Sequence, residues 1–399
     1  MSLRHGLVRW TFVVAGAAGM MLGAQNSARA QAWGMQQLFE PPVTSEDIGE
    51  LVDLVDADEA QEEMIRDLFQ GLMQQHDTAV EKLREILKAV SEEAQSDPTV
   101  WQDFQRKAIE YMKYQDGLKS SLFEDIRLVL STGQIEKWPS FERFHRRQHL
   151  LDDDQTIVTA ARVDLVRVME DVAEEEEHSE VPAGVVDIVE RYEIELDRLL
   201  IEKKGLSDKQ LEEVLEVMEA GANMMAEMPR WEQMFNESRE LQVKIRDVNE
   251  KYVRQFAARL EAEVRAEFRK EYNRRAMPTV YERNYLDNAF EHARGIESLT
   301  AEQREQLEAL EQQHEREAQG IREKWAEALS LWQTEVQMMQ MWGGSKSGGS
   351  EATAQRDAKQ ELDERYYELL RSVLNEEQRA ALPERESDWR QAGGFGFGD

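Results

Sequence analysis

Residues 122–139, LFEDIRLVLSTGQIEKWP, return in outline at 366–383 as YYELLRSVLNEEQRAALP, with six of the eighteen positions identical. A second match, at nearly the same offset, sets DADEAQEEMIRDL (56–68) against SLTAEQREQLEAL (298–310). It aligns Gln61 with Gln303, Ile65 with Leu307 and Leu68 with Leu310. Repetition on this scale restricts a chain to arrays of one supersecondary unit. Here the unit is helical. Its periodicity is plainest in 236–272, where Leu241, Ile245, Val248, Tyr252, Phe256, Leu260, Val264, Phe268 and Tyr272 recur every three or four residues. One narrow apolar stripe between charged faces suits helical hairpins and small bundles.

A third of the residues are charged, prolines number eight, and β-branched runs are few. The expected class is therefore all-α, as elongated tandem helical hairpins or small bundles with coiled-coil-like long helices. A first unit is expected over 44–150, with helices at about 58–95 and 100–130 separated near Asp97-Pro98. A shorter helix follows from Pro139, whose fixed φ suits a first turn. A middle unit, 151–281, reads as helix at 185–203, a turn at Gly205, and a long helix at 208–275 that Pro229 kinks or breaks. A C-terminal unit, 282–385, carries helices at about 300–341 and 353–373, joined by the flexible linker GGSKSGGS at 343–350. The tail, 386–399, has no helical signal and is expected to be disordered.

Residues 1–30 read as an export signal. Arg4, His5 and Arg9 precede an apolar run from Trp10 to Ala24, and Ala28-Arg29-Ala30 supplies the small-x-small pattern before a cut ahead of Gln31. The apolar run is shorter than the ~20 residues that span a bilayer. The expected address is periplasmic or secreted, with no integral membrane segment after removal of the signal. Removal takes away three arginines and no acid, so the net charge goes from −32 to −35. Such a charge repels nucleic-acid phosphates and anionic lipid surfaces, and attracts cations or basic partners. The absence of cysteine excludes disulfides and thiolate chemistry.

A short motif, Leu-(Ser/Thr/Asn)-x-x-Gln, recurs through the chain. It is found at Leu130, Ser131 and Gln134, at Leu206, Ser207 and Gln210, at Leu299, Thr300 and Gln303, and at Leu374, Asn375 and Gln378. Physically it is a helix start: the Ser, Thr or Asn side chain accepts a backbone N–H, and Gln three residues on reaches back to the cap. The preceding leucine can staple to the fourth helical position, as Leu130 to Ile135 and Leu206 to Leu211. In the C-terminal unit one box opens the first long helix and another closes the unit, 75 residues later. The N-terminal unit does the same, from a degenerate box at Ala57-Asp58-x-x-Gln61 to Leu130.

This opening-and-closing arrangement in an exported helical chain resembles the LTxxQ-motif (Spy/CpxP-like) family of periplasmic proteins, in a longer tandem form. The resemblance implies cradle-like helical hairpins, a place in the envelope stress response, and the holding of unfolded proteins without ATP. Some members of the family sense or bind metals. The chain departs from the family pattern in its length, in having only one true Leu-Thr box, and in its acidity.

No Gly-rich phosphate loop, nucleophile elbow or HExxH motif is present, so no catalytic or cofactor-binding residue is assigned and no enzyme is expected. Glu142 with His145 and Glu311 with His314 have the Glu-x-x-His spacing of di-metal bundles, which so acidic a chain also yields by accident. His145 and His149, four apart, could share an ion. They sit among Arg143, Arg146 and Arg147, which oppose a cation, so no metal ligand is assigned. Met218, Met224, Met225, Met228 and Met234 form a dense cluster suited to adaptable contact with apolar clients. The expected function is an exported, ATP-independent chaperone-like or envelope-stress-associated binding protein. Its partners would be non-native or envelope proteins, and a homodimer is compatible with the pattern. The alternatives are a helical scaffold for one folded envelope partner and an acidic cation-binding envelope protein.

Overall fold

The computed structural model describes residues 39–93, 99–151, 156–175, 183–220, 226–338 and 348–383. The export segment, Asp97-Pro98, Met224, Met225 and the tail lie outside the described residues. Every regular element among those described is helical, so the fold is all-α. No helix among them is long and apolar enough to cross a membrane. In chain order the first helices are α1 (Ser45–Val55), α2 (Glu59–Glu93), α3 (Thr99–Val129), α4 (Thr132–Ile135) and α5 (Trp138–Leu150). A 3-10 turn at Thr159–Arg162 precedes α6 (Leu165–Glu175), α7 (Ala183–Glu219), α8 (Met228–Ala257) and α9 (Ala262–Ala276). Then come α10 (Pro278–Tyr281), α11 (Tyr285–Arg294), α12 (Ala301–Glu335), α13 (Gly349–Val373) and α14 (Glu376–Ala380). The chain divides into two compact units, one from Met1–Gln155 and Val189–Met234, the other from Thr156–Ile188 and Phe235–Asp399. The stretch 151–281, expected as a unit of its own, contributes to both.

In the first unit α1 begins at Thr44, whose hydroxyl accepts the Asp47 N–H while the Asp47 carboxylate accepts the Thr44 N–H. The spacing rules miss this helix because its box ends in Asp rather than Glu or Gln. The long helices α2 and α3 pack along each other. Ile48, Leu51 and Val55 of α1 share a core with Ile65 and Leu72 of α2, Leu122 and Ile126 of α3, and Trp138 and Phe141 of α5. Phe123 meets Trp138, Phe141 and His145 edge-on, with centroids 5.6, 5.4 and 5.1 Å away. Further along the hairpin Val80, Leu83 and Val90 face Phe104, Ala108 and Tyr111. The part of α7 in this unit sets Leu211 and Leu215 on Ile109 and Met112 of α3.

The turn expected at Gly205 is absent: α7 runs unbroken through Leu206-Ser207. A helical glycine costs only about 1 kcal/mol relative to alanine. Against it stands a buried stripe of Leu196, Leu200, Leu211, Val214 and Val217. Lys204 also pairs across the glycine with Asp208 at 2.5 Å. The box at Leu206 is therefore helix interior, not a helix start. The single helix expected over 208–275 is the end of α7 followed by α8 and α9. Of the kink or break expected at Pro229 the break is found: α8 starts at Met228, and Pro229 lies in its first turn, where the missing N–H is harmless. A second break follows α8, where the N–H groups of Arg259 and Leu260 both donate to the Phe256 carbonyl. The stripe of 241–272 survives this second break, since all its members except half-buried Val264 are buried.

The second unit covers an irregular segment with polar side chains. The Gln242 carbonyl oxygen accepts the N–H groups of Ile157 and Val158 at 2.9 and 3.2 Å. Buried Asn249 donates to the carbonyls of Ala160 and Val163 at 2.8 and 2.9 Å. Without such partners the buried backbone could not leave the helix here. Beyond it Asn284 caps α11, whose Leu286, Ala289, Phe290 and Ala293 pack against Leu307 and Ala318 of α12 and Leu362, Tyr366 and Leu370 of α13. Gly348 has φ +107°, and a Cβ there would lie 2.9 Å from that of Ala352. The last glycines of the expected linker are thus the fixed start of α13, while 343–347 lie outside the described residues.

Candidate functional site

The boxes do more than start helices. Thr300 caps α12, and the Gln303 side-chain oxygen accepts the Thr300 N–H at 3.0 Å. The Gln303 amide then donates to the Val373 carbonyl at 2.8 Å and to Gln378 at 3.0 Å. Gln378 answers in kind: its oxygen accepts the Asn375 N–H at 2.9 Å, and its amide donates to the Ser298 carbonyl at 3.1 Å. Leu299 and Leu374 are buried beside this clasp. The first unit repeats it. Gln61 donates to the Val129 carbonyl at 3.1 Å and to Gln134 at 2.9 Å, and Gln134 donates back to Gln61 at 2.8 Å. The Ser131 N–H and hydroxyl both donate to the Gln134 oxygen at 2.9 Å. Leu130 is buried, but Ile135 is 42% exposed, so the expected staple between them is not a buried contact. Sequence spacing finds each box. It does not show that the boxes bind each other.

Of the methionine cluster, only the side chains of Met228 and Met234 fall among the described residues. Met234 is 8% exposed, packed within the first unit, and its carbonyl accepts the Gln210 amide at 2.9 Å. Met228 is half-buried, and Met218 lies near the end of α7. Apolar surface is open on the α2–α3 hairpin. There Leu68, Leu72, Leu118 and Leu122 line a groove of about 490 Å³, with Met64 46% exposed on its wall and Asp67 and Asp125 among its lining residues.

A third constellation sits where α1 meets α5. Asp47, on the first turn of α1, is buried against two imidazoles one helical turn apart on α5. His145 Nδ1 lies 3.2 Å from Asp47 Oδ1. His149 Nε2 lies 3.1 Å from Oδ1 and 2.8 Å from Oδ2. The rings of His145 and His149 are 4.1 Å apart. Neither Glu-x-x-His pair acts together. Glu142 accepts from Trp138 and Arg127, while Glu311 faces Arg294. The arginines that oppose a cation in the sequence have acidic or polar partners: Arg146 binds Asp197 at 2.6 and 3.0 Å, Arg147 binds Glu193, and Arg143 donates to Ser140. The partner His145 and His149 needed, Asp47, lies some hundred residues away, and its only sequence signal is the Thr44-x-x-Asp47 box.

Burial pushes the His145 imidazole down to about 3, with His149 adding to the effect and Asp47 opposing it. Burial works to raise the Asp47 carboxyl, but hydrogen bonds from His145 and His149 outweigh it and hold the acid well below the usual range. The unfolded chain takes up a proton at His145 near pH 6.5, and the folded chain does not until near 3. Stability of the first unit therefore falls as pH drops below 6.5, by about 1.4 kcal/mol per pH unit. Asp47 adds no slope above its ordinary value. Denaturant melts of the chain in EDTA at pH 7 and pH 5.5 measure this. Equal midpoints would show that His145 charges freely in the fold.

No protein-family model, curated protein or solved structure matches the chain.

Proposed function

We propose that the chain is an exported binding protein that holds non-native proteins without ATP, and that it is a long, tandem relative of the LTxxQ-motif family. The groove between α2 and α3 carries this reading: a leucine floor, an exposed methionine on its wall and two aspartates among its lining residues. Such a groove takes short apolar segments flanked by Lys or Arg, which the net charge of −35 left after removal of residues 1–30 also attracts. Methionine at its wall adapts to different side chains, as a site for many clients requires. The Gln61–Gln134 clasp holds the end of this hairpin without contributing chemistry.

The test is light scattering of two unrelated aggregating proteins, with and without the purified chain lacking residues 1–30. Suppression of both at near-stoichiometric ratios is the expected result. Met64→Glu should weaken suppression several-fold and leave the melting temperature nearly unchanged, as surface substitutions do. Capture of one dominant folded partner, with no effect on either client, would replace this function with a scaffold.

A further inference from the structure

We infer that Asp47, His145 and His149 form a binding site for a divalent transition ion of the Zn2+ class, taken up in place of the protons that bridge them. The nitrogen and oxygen atoms available for ligation all lie within 4.8 Å of one another. Both imidazoles contact the same carboxylate oxygen, at 3.2 and 3.1 Å. A tetrahedral ion ~2.1 Å from its ligands sets neighbouring donors ~3.4 Å apart. The Asp47–imidazole contacts thus need widen by only a few tenths of an ångström. Two imidazoles with one carboxylate favour Zn2+, Ni2+ or Cu2+ over Ca2+ and Mg2+, which take oxygen ligands.

The surroundings hold the donors in place. The Thr44 N–H and hydroxyl donate to Asp47 Oδ2 at 2.7 and 2.8 Å, fixing the carboxylate so that Oδ1 meets both imidazoles while Oδ2 also lies 2.8 Å from His149 Nε2. Such outer partners set ligand orientation and affinity. Phe123 and Phe141 lie against the His145 ring. The cations closest in sequence are matched by Asp197 and Glu193, so repulsion of an incoming ion is reduced. Three protein ligands leave a fourth position for water. The His149 side chain is 13% exposed, which gives the ion a way in. Bound there, the ion would tie the first turn of α1 to α5. This inference is independent of client binding.

The experiment is calorimetric titration of Zn2+ into the intact, EDTA-stripped chain in excess Mg2+, which occupies the surface carboxylates. A single saturable site per chain is expected. His149→Gln, at a partly exposed position, and His145→Gln should each weaken it at least about tenfold, the loss that even an outer partner can cause. Exposed His292→Gln should leave it unchanged. Co2+ in place of Zn2+ should give a visible tetrahedral absorption band that His149→Gln abolishes, a readout that survives if His145→Gln fails to fold. Absence of saturable binding, or equal affinity in the chain and in His149→Gln, would overturn the site.

Discussion

Asp363→Ala should destabilise the second unit by about 3–5 kcal/mol, the cost of stranding a buried charge. Asp363 on α13 is fully buried, and Lys359, one turn earlier, donates to both its oxygens at 2.6 Å. His314 of α12 lies 2.7 Å from one oxygen, and Asn284, the cap of α11, donates to the other at 3.0 Å. One carboxylate therefore joins three helices. Removing it leaves the buried Lys359 ammonium without a counter-charge, and the His314 ring nitrogen and the Asn284 amide without this acceptor. Equilibrium denaturation reads the loss. The triple variant Asp363→Leu, Lys359→Met, His314→Leu should recover most of it, because replacing a whole buried ionic group with apolar residues is often neutral. A loss below about 1 kcal/mol in Asp363→Ala would mean that Lys359 finds water, and that the network does not hold the unit together.

Gln378→Glu is the second large effect, and it separates capping from clasping. A capping box accepts Glu as readily as Gln, since only the side-chain oxygen is used. The clasp also needs the amide hydrogens, which donate to the Ser298 carbonyl and to Gln303. A carboxylate loses both bonds and faces the carbonyl oxygens it formerly bound, at a buried position. Two bonds at about 0.5–1.5 kcal/mol each, with the desolvated charge added, give a loss of about 2–3 kcal/mol. Gln61→Glu should act in the same direction in the first unit, where the reciprocal bonds are with Gln134. A neutral Gln378→Glu would reduce the motif to a helix start.

Helix type and helix ends were legible wherever periodicity and local chemistry agree. The stripe of 241–272, the boxes at Thr300 and Asn375, and Pro139 in the first turn of α5 are all visible within a few residues of sequence. The failures are also local in origin. Gly205 and Ser207 read as a turn, but the packing of the residues around them carries the helix through. Thr44 and Asp47 begin a helix that a rule requiring Glu or Gln passes over. The Asp–His–His cluster was half visible, as two histidines one turn apart beside three arginines. Its sign was misleading, because the acids that match Arg146 and Arg147 come from α7, far along the chain.

Helical class and the positions of the repeated boxes can be read from the chain alone, because period, caps and charge act over a few residues. Which boxes clasp, which stripes share a core and which acids reach the histidines depend on the packed fold. Those pairings join residues fifty to a hundred positions apart. Their partners are set by how the helices pack, and no local preference encodes them.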